Sequence, residues 1–308
     1  MKKLSKLIVI LGPTASGKTS LAIELAKKCN GEIISADSRQ VYRYMKIGTD
    51  VPGGKWKDDK YIVQDIPHYL MNCIEPDQEF TLADFKVQAV EAANDIISRG
   101  KLPFLVGGTG LYLSSVVDNL DIPKAKPNKK LRAELEAASK EDLVAELKQI
   151  DPASAKVIDL NNPRRLVRAL EVVKTTGKSF LEQKTKSDPL FKVLQIGIKR
   201  DRKITYERIN KRVDEQIKEG LIEEVKEMVN KGYGWDLPSM SGLGYRQFKD
   251  YLAGKQNLKE AIEILKRDIR HYAKKQITWF KRDATIQWIE HGEFQKADSL
   301  IDGFLNID

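Results

Sequence analysis

The fold class of this chain follows from one stretch, Leu7-Ile8-Val9-Ile10-Leu11-Gly12-Pro13-Thr14-Ala15-Ser16-Gly17-Lys18-Thr19. Its first five residues are a continuous apolar run, which is typical of a strand buried on both faces of a parallel sheet. Residues 12–19 match G-x-x-x-x-G-K-S/T at every fixed position, and a helical pattern follows in residues 20–28. The backbone N–H groups of such a loop bind anions, Lys18 adds a positive charge, and the Thr19 hydroxyl can ligate Mg²⁺. The stretch therefore predicts a phosphate loop for a di- or triphosphate.

Strands and helices alternate beyond this stretch. The apolar runs 32–36 and 102–106 predict two more strands. The helix between them, predicted over 81–99, begins with Thr81 and Asp84 in capping-box positions. This alternation predicts an α/β fold with a doubly wound parallel sheet.

Polar residues follow the second and third predicted strands. Asp37 follows the second, and Gly107-Gly108-Thr109-Gly110 follows the third. Because ligands of open α/β sheets bind outside the carboxyl ends of the strands, Asp37 is expected to face the phosphate loop as a general base or an acceptor-orienting group. From position alone, an ordinary turn or cap is an equal alternative for Asp37. The third strand ends without the acidic residue that a P-loop ATPase uses for water and Mg²⁺, which disfavours an ATPase.

The pattern changes near residue 121. A basic, proline-broken connector at 124–130 leads into helical stretches at 129–138, 140–149 and 163–176. Residues 193–198 predict one more core strand, so the helical block is expected to be an insertion into the sheet domain. The predicted division is 1–122 for the first part of the P-loop core, 123–190 for the helical insertion, and 191–308 for the completion of the core and basic C-terminal helices at 203–231 and 262–282.

Composition excludes several classes of protein. The 308 residues are 41% hydrophobic and 31% charged, which is a globular composition. Two cysteines and three scattered histidines disfavour a disulfide framework or a zinc enzyme. The apolar run 7–11 is too short for a signal peptide or a membrane span, so we expect a cytoplasmic protein without a membrane partner.

The net charge of +9 suggests an anionic partner. Residues 262–282 hold seven basic and two acidic side chains, which favours a nucleic-acid contact. A mostly apolar stripe on the same helix predicts a core-facing side, and its residues are Ile262, Leu265, Ile269, Tyr272, Gln276 and Trp279. Three more arginines can share one helix face, although that feature alone favours a solvated amphipathic helix: Arg164, Arg165 and Arg168.

Taken together, these residues resemble the tRNA dimethylallyltransferases, also called tRNA isopentenyltransferases, of the bacterial type. The matching motifs run in order along nearly the whole chain: 12–19, 37–42, Ile47-Gly48-Thr49, 107–112, Arg165-Leu166-Val167-Arg168-Ala169-Leu170-Glu171, Arg208-Ile209-Asn210-Lys211-Arg212-Val213-Asp214, Gly244-Tyr245-Arg246 and Lys275-Gln276-Ile277-Thr278-Trp279-Phe280. The resemblance implies transfer of a dimethylallyl group from its diphosphate to the exocyclic N6 amine of an adenosine beside a tRNA anticodon.

The resemblance also implies roles for individual residues. The phosphate loop would hold the prenyl diphosphate, with Mg²⁺ on Thr19, and Asp37 would be the general base. Thr109 would orient a substrate, while Arg212 or Arg208 would neutralise the leaving diphosphate together with Lys18. The implied partners are dimethylallyl diphosphate and the tRNA anticodon stem-loop, and we expect a monomer. The residues expected to contact tRNA are Asp37, Ser38, Arg39, Gln40, Thr109, Arg164, Arg165, Arg168, Gly244, Tyr245, Arg246, Arg270, Lys274, Lys275 and Gln276.

Two departures from the family pattern stand out. Asp50-Val51 replaces the usual alanine and lysine after Ile47-Gly48-Thr49, and Arg164 replaces a common glutamine. Three alternatives stay open: an adenine-nucleotide prenyltransferase, a small-molecule P-loop kinase and a nucleic-acid-binding NTPase. The first would have little use for the basic helix at 262–282.

Overall fold

The computed structural model of the chain describes residues 4–123, 128–183 and 185–307. In these ranges eight strands form one sheet: β1 Lys6–Leu11, β2 Gly31–Ser35, β3 Lys55–Lys57, β4 Lys60–Val63, β5 Ile66–Tyr69, β6 Leu102–Gly107, β7 Lys192–Lys199 and β8 Gln287–Glu290. Their spatial order is β3-β4-β5-β2-β6-β1-β7-β8. The hairpin partners β3, β4 and β5 pair antiparallel, and the other neighbours pair parallel.

Twelve α-helices occupy the same described ranges: α1 Lys18–Lys28, α2 Leu82–Ser98, α3 Gly110–Val117, α4 Lys129–Ala137, α5 Lys140–Ile150, α6 Pro152–Val157, α7 Pro163–Thr176, α8 Arg202–Lys218, α9 Leu221–Asn230, α10 Lys249–Leu252, α11 Leu258–Phe280 and α12 Phe294–Asn306. No helix in this described part of the chain is both long and apolar enough to cross a membrane.

The centre of the sheet is buried on both faces, as the apolar run predicts. Along β1, Ile8 and Ile10 pack into the core on one face, while Leu7, Val9 and Leu11 pack into the core on the other. None of the five is more than 1% exposed. The α/β fold class with a doubly wound sheet is therefore confirmed.

The chain forms two compact units, Met1–Val117 with Leu190–Asp308, and Asp118–Pro189. We call them the core unit and the helical unit. In the core unit, β7 pairs with β1, so the strand predicted at 193–198 does complete the sheet that the first residues begin. The helical unit contains α4 to α7 around a small apolar core. Of the predicted connector, residues 124–127 lie outside the described residues.

Polar side chains and glycine cap several helix ends. Thr81 and Asp84 form the predicted capping box of α2, and Asn162 caps α7, which ends at Gly177. The helical stretch predicted at 203–231 is instead two helices, because Gly220 between them adopts a left-handed conformation (φ 102°). The short strands β3, β4, β5 and β8 were not predicted.

Candidate active site at the phosphate loop

The phosphate loop lies between β1 and α1, as its sequence predicts. Gly17 precedes α1 with φ 94°, a left-handed conformation that disfavours other residues. A Cβ atom at Gly17 would also lie 2.7 Å from the His291 ring. The local geometry therefore requires the second fixed glycine of the motif.

A cavity of about 550 Å³ opens beside this loop. Lys18 and Thr19 line it from the loop, Asp37 from the carboxyl end of β2, and Arg208 and Arg212 from α8. Burial lowers the pKa of Lys18, and the charge of Arg212 lowers it further, while Asp37 opposes both effects. The structure thus brings together the cations and the carboxylate that the sequence singled out.

Asp37 both forms a turn and faces the cavity. Its Oδ1 accepts hydrogen bonds from the backbone N–H groups of Arg39 at 2.9 Å and Gln40 at 3.4 Å. Its Oδ2 has no hydrogen-bond partner among the residues that the structure describes. The two alternatives considered for Asp37 are therefore compatible, because one oxygen makes the turn while the other has no partner in the described part of the chain.

The turn at residues 107–110 packs against the turn that contains Asp37 and stabilises it. The Thr109 Oγ1 accepts a hydrogen bond from the backbone N–H of Ser38 at 3.1 Å. A Cβ atom at Gly107 would lie 2.1 Å from the Ala36 carbonyl oxygen, so this glycine permits the close approach of the two strand ends. Thr109 therefore holds the turn that carries Asp37.

Gln276 on α11 joins the phosphate loop to this turn. Its Oε1 accepts a hydrogen bond from the Thr14 N–H at 2.9 Å, and its Nε2 donates to the Gly108 carbonyl at 2.8 Å. Tyr272, one helical turn earlier, lines the cavity, and burial together with the charge of Asp37 raises its pKa to about 12. The sequence placed Tyr272 in an apolar stripe and missed its place in the cavity.

Both arginines that the sequence could not separate contact the phosphate loop. Arg208 Nε donates to the Ala15 carbonyl at 3.2 Å, and Arg212 Nη1 donates to Thr14 Oγ1 at 3.2 Å. They lie four residues apart on α8, so both point to one side of the helix. The cavity therefore receives two guanidinium groups.

Glu224 is a supporting residue that sequence reasoning missed. Its carboxylate accepts the backbone N–H groups of Lys46, Ile47 and Gly48 at 2.8–3.0 Å and the Tyr245 hydroxyl at 2.6 Å. An acidic residue in the first turn of α9 is ordinary helix chemistry, so nothing in the sequence distinguished it. It fixes the loop that ends at Asp50.

The residues expected to contact tRNA lie in different environments. Ser38, Arg39, Gln40, Arg246 and Lys275 line the cavity. Lys274 is exposed, and Arg270 donates to Asn210 at 2.6 Å. In the helical unit, Arg164 and Arg165 are exposed, and Arg168 pairs with the buried Glu171 at 2.8 Å.

The expectation for the Tyr245 side chain needs correction. Tyr245 is fully buried, its ring lies against Gly48, and its hydroxyl donates to Glu224. Gly244 beside it adopts φ 95° and lies close to the Gly48 backbone. A side chain without exposed surface cannot touch RNA, so Tyr245 supports the 46–50 loop instead.

The oxygen ligand that the cavity offers suits a Mg²⁺ ion that is bound mainly by the phosphates of a substrate. The described residues contain no group of three or more His, Cys, Asp or Glu side chains placed to hold a metal ion. The cavity does present the Thr19 hydroxyl. Mg²⁺ commonly binds through one or two protein oxygens, phosphates and water, so this hydroxyl fits the ion.

Comparison with known proteins agrees with this arrangement. The IPP transferase family matches residues 40–283, and the isopentenyl transferase family matches residues 5–65. A tRNA dimethylallyltransferase of Acetivibrio thermocellus is 45% identical, with 97% of this chain and 96% of the relative covered. One of Roseiflexus sp. is 46% identical, with 90% of each chain covered.

Solved structures show the same likeness. The tRNA isopentenylpyrophosphate transferase of Bacillus halodurans has a TM-score of 0.71 and 39% identity, with 98% of this chain and 97% of that chain covered. A eukaryotic dimethylallyltransferase acting on tRNA has a TM-score of 0.78 and 27% identity, with 98% and 77% covered. With a family match over residues 40–283 and these relatives over nearly its full length, the chain belongs to the IPP transferase family.

Proposed function

We propose that the chain transfers a dimethylallyl group from dimethylallyl diphosphate to the N6 amine of an adenosine next to the anticodon in tRNA. The observation that carries this proposal is one cavity that holds both a phosphate loop and the Asp37 carboxylate. The names of the relatives, which are tRNA dimethylallyltransferases, support the same reaction.

The cations of the cavity serve the donor. The diphosphate would bind to the N–H groups of the phosphate loop, with Lys18, Arg208 and Arg212 around it. As the bond between C1 of the dimethylallyl group and the diphosphate oxygen breaks, its electron pair leaves with the diphosphate. Fixed cations stabilise this growing negative charge most in the transition state. Mg²⁺ bound at Thr19 would supply further charge neutralisation.

Asp37 serves the acceptor. An adenine amine is a poor nucleophile because its lone pair is delocalised, so it needs base assistance and close positioning. The N6 nitrogen forms the new bond to C1, and one N6 proton passes to Asp37 Oδ2. Thr109 positions Asp37 by accepting the Ser38 N–H. The target base must leave its stack in the anticodon loop to reach the cavity.

The basic residues outside the phosphate loop would hold the tRNA. Arg39, Arg246 and Lys275 line the cavity and would bind the nucleotides near the target base. Arg270, Lys274 and the exposed arginines of the helical unit would bind phosphates. We assign the helical insertion 123–190 to tRNA contact on this basis, and we place the enzyme in the cytoplasm as a monomer.

A transfer assay tests the proposal. Labelled dimethylallyl diphosphate and Mg²⁺ are incubated with the protein and either tRNA or AMP, and ATP replaces the prenyl donor in parallel reactions. We expect label in tRNA but not in AMP, and no turnover of ATP. Label in AMP would indicate a nucleotide prenyltransferase, and ATP turnover without prenyl transfer would indicate a kinase or an NTPase.

A further inference from the structure

Asp50 brings a second carboxylate into the phosphate-loop cavity. Its Oδ2 lies 2.7 Å from Nη1 of Arg212. The same Nη1 donates to Thr14 Oγ1 of the phosphate loop at 3.2 Å. Arg212 therefore contacts a carboxylate and the phosphate loop through one nitrogen atom.

The backbone around Asp50 is anchored on both sides. Its N–H donates to the Ile47 carbonyl at 3.1 Å, and its carbonyl accepts Nε2 of Gln40 at 3.0 Å. Gln216 on α8 donates to the Ile47 carbonyl at 2.6 Å, and Glu224 binds the N–H groups of residues 46–48. Asp50 is thus presented to Arg212 by a fixed loop.

The charge of Asp50 has no use in the transfer reaction derived above. Asp37 supplies the base, and the leaving diphosphate needs cations rather than a second carboxylate. The negative charge of Asp50 also acts on Lys18 of the phosphate loop. It raises the pKa of Lys18, whereas burial lowers that pKa. A diphosphate that engages Nη1 of Arg212 must replace Asp50 as its partner.

We propose that Asp50 is a competing counter-ion for Arg212, which weakens diphosphate binding and speeds release of the diphosphate product. The identity of the anion rests on the proposed function. When diphosphate leaves, the Asp50–Arg212 pair re-forms and holds the guanidinium against Thr14. Asp50 is a positioning residue, because it acts on the substrate through Arg212.

Calorimetric titration of inorganic diphosphate with Mg²⁺ tests this role. The Asp50→Asn variant keeps the shape and suits the left-handed backbone at this position (φ 57°). We expect it to bind diphosphate about two- to fivefold more tightly than the original protein, the range that an exposed ion pair supports. The Asp50→Glu variant keeps the charge and should bind like the original protein.

Asp214→Asn is a matched control. Asp214 pairs with Lys266 at 2.8 Å and is 53% exposed, whereas Asp50 pairs at 2.7 Å and is 55% exposed. Neither Asp214 nor Lys266 is among the residues that line the cavity. The diphosphate Kd of this variant should stay unchanged.

A double variant tests whether Asp50 acts through Arg212. In an Arg212→Met background, Asp50→Asn should change the Kd by less than about twofold. An unchanged or weaker affinity in the single variant would overturn the inference, as would an equal gain in the Arg212→Met background. If the original protein binds ATP but no diphosphate, the proposed function itself fails. Diphosphate binding without a gain in Asp50→Asn contradicts only the role of Asp50.

Discussion

At the residue scale, the two carboxylate oxygens of Asp37 differ in their contacts, and only one of them is available for the proposed proton transfer. Oδ1 accepts two backbone N–H groups, and Oδ2 has no partner in the described part of the chain. Alanine would remove both functions, whereas asparagine can still accept the turn hydrogen bonds but cannot take a proton. Asp37→Asn therefore removes the proposed base while it keeps the hydrogen bonds of the turn.

We expect Asp37→Asn to lower the single-turnover rate of dimethylallyl transfer by about 10²–10⁴-fold, the range typical of a lost general base. Rapid-quench measurements at saturating donor and tRNA give this rate. The Kd for dimethylallyl diphosphate serves as the internal control and should change little. A rate close to that of the original protein would show that Asp37 is not the base.

The sequence predicts the positions of some site residues but not of others. The position of Asp37 is predictable because the carboxyl ends of parallel strands meet at one sheet edge. Arg208 and Arg212 are inseparable in sequence because one helical turn places both on one face. Tyr245 was misassigned because a motif does not reveal burial, and the Tyr245 side chain is fully buried.

At the element scale, α11 fits its sequence pattern well. The apolar stripe that includes Leu265 packs against the core, and Gln276 bonds the phosphate loop. The predicted stretch 262–282 differs from Leu258–Phe280 because Asn257 caps the helix one turn earlier. Periodicity identifies the buried face of a helix, but it does not identify which polar side chain on that face makes a bond.

A buried carboxylate joins several elements of the sheet. Glu32 on β2 bonds Arg99 after α2, Lys101 before β6 and Tyr69 on β5, at 2.6–2.8 Å. Burial alone would raise its pKa, but these partners lower the pKa of Glu32 to about 2. The pKa of a glutamate in the unfolded chain is about 4.3. The stabilisation that Glu32 gives to the folded protein is therefore fully present above that pH and is lost as the pH falls towards 2.

We expect Glu32→Gln to lower the free energy of unfolding by roughly 1–3 kcal/mol at pH 7. Urea denaturation of both proteins between pH 7 and pH 2 measures the difference, which should shrink below about pH 4. Glu91→Gln removes an exposed carboxylate from α2 and should have an effect within about 0.5 kcal/mol. A difference that is constant with pH would contradict this assignment.

At the scale of the whole molecule, residues 262–282 carry seven basic and two acidic side chains, an excess that amounts to more than half of the net charge of +9. Sequence composition indicated an anionic partner, and only the structure separated exposed cations such as Lys274 from paired ones such as Lys266. The alternation of strands and helices predicted the doubly wound sheet, and the apolar run 193–198 predicted that the helical block is an insertion into it. The four-residue β8 and the hairpin strands are too short to show a periodic pattern.

We expect Lys274→Ala/Lys275→Ala to raise the Kd for tRNA and to flatten its salt dependence. Each phosphate contact releases counterions when tRNA binds, so fewer counterions are released when a contact is lost. The log–log slope should fall by roughly 0.7–1 for each contact. Filter binding across a salt series measures both quantities. Lys218→Ala/Lys226→Ala removes two exposed lysines from other helices and should leave the slope nearly unchanged. Equal effects of the two double variants would indicate a solvated helix face rather than a tRNA contact.

Site-resolved transfer under single-turnover conditions is the decisive measurement of tRNA prenylation by this protein. The protein receives labelled dimethylallyl diphosphate and one of two tRNA transcripts, which differ only in having adenosine or guanosine next to the anticodon. We expect label on the N6 of that adenosine, one diphosphate released for each label, and no label in the guanosine transcript. Equal labelling of both transcripts, or no labelling of either while ATP is turned over, would contradict the proposed tRNA prenylation.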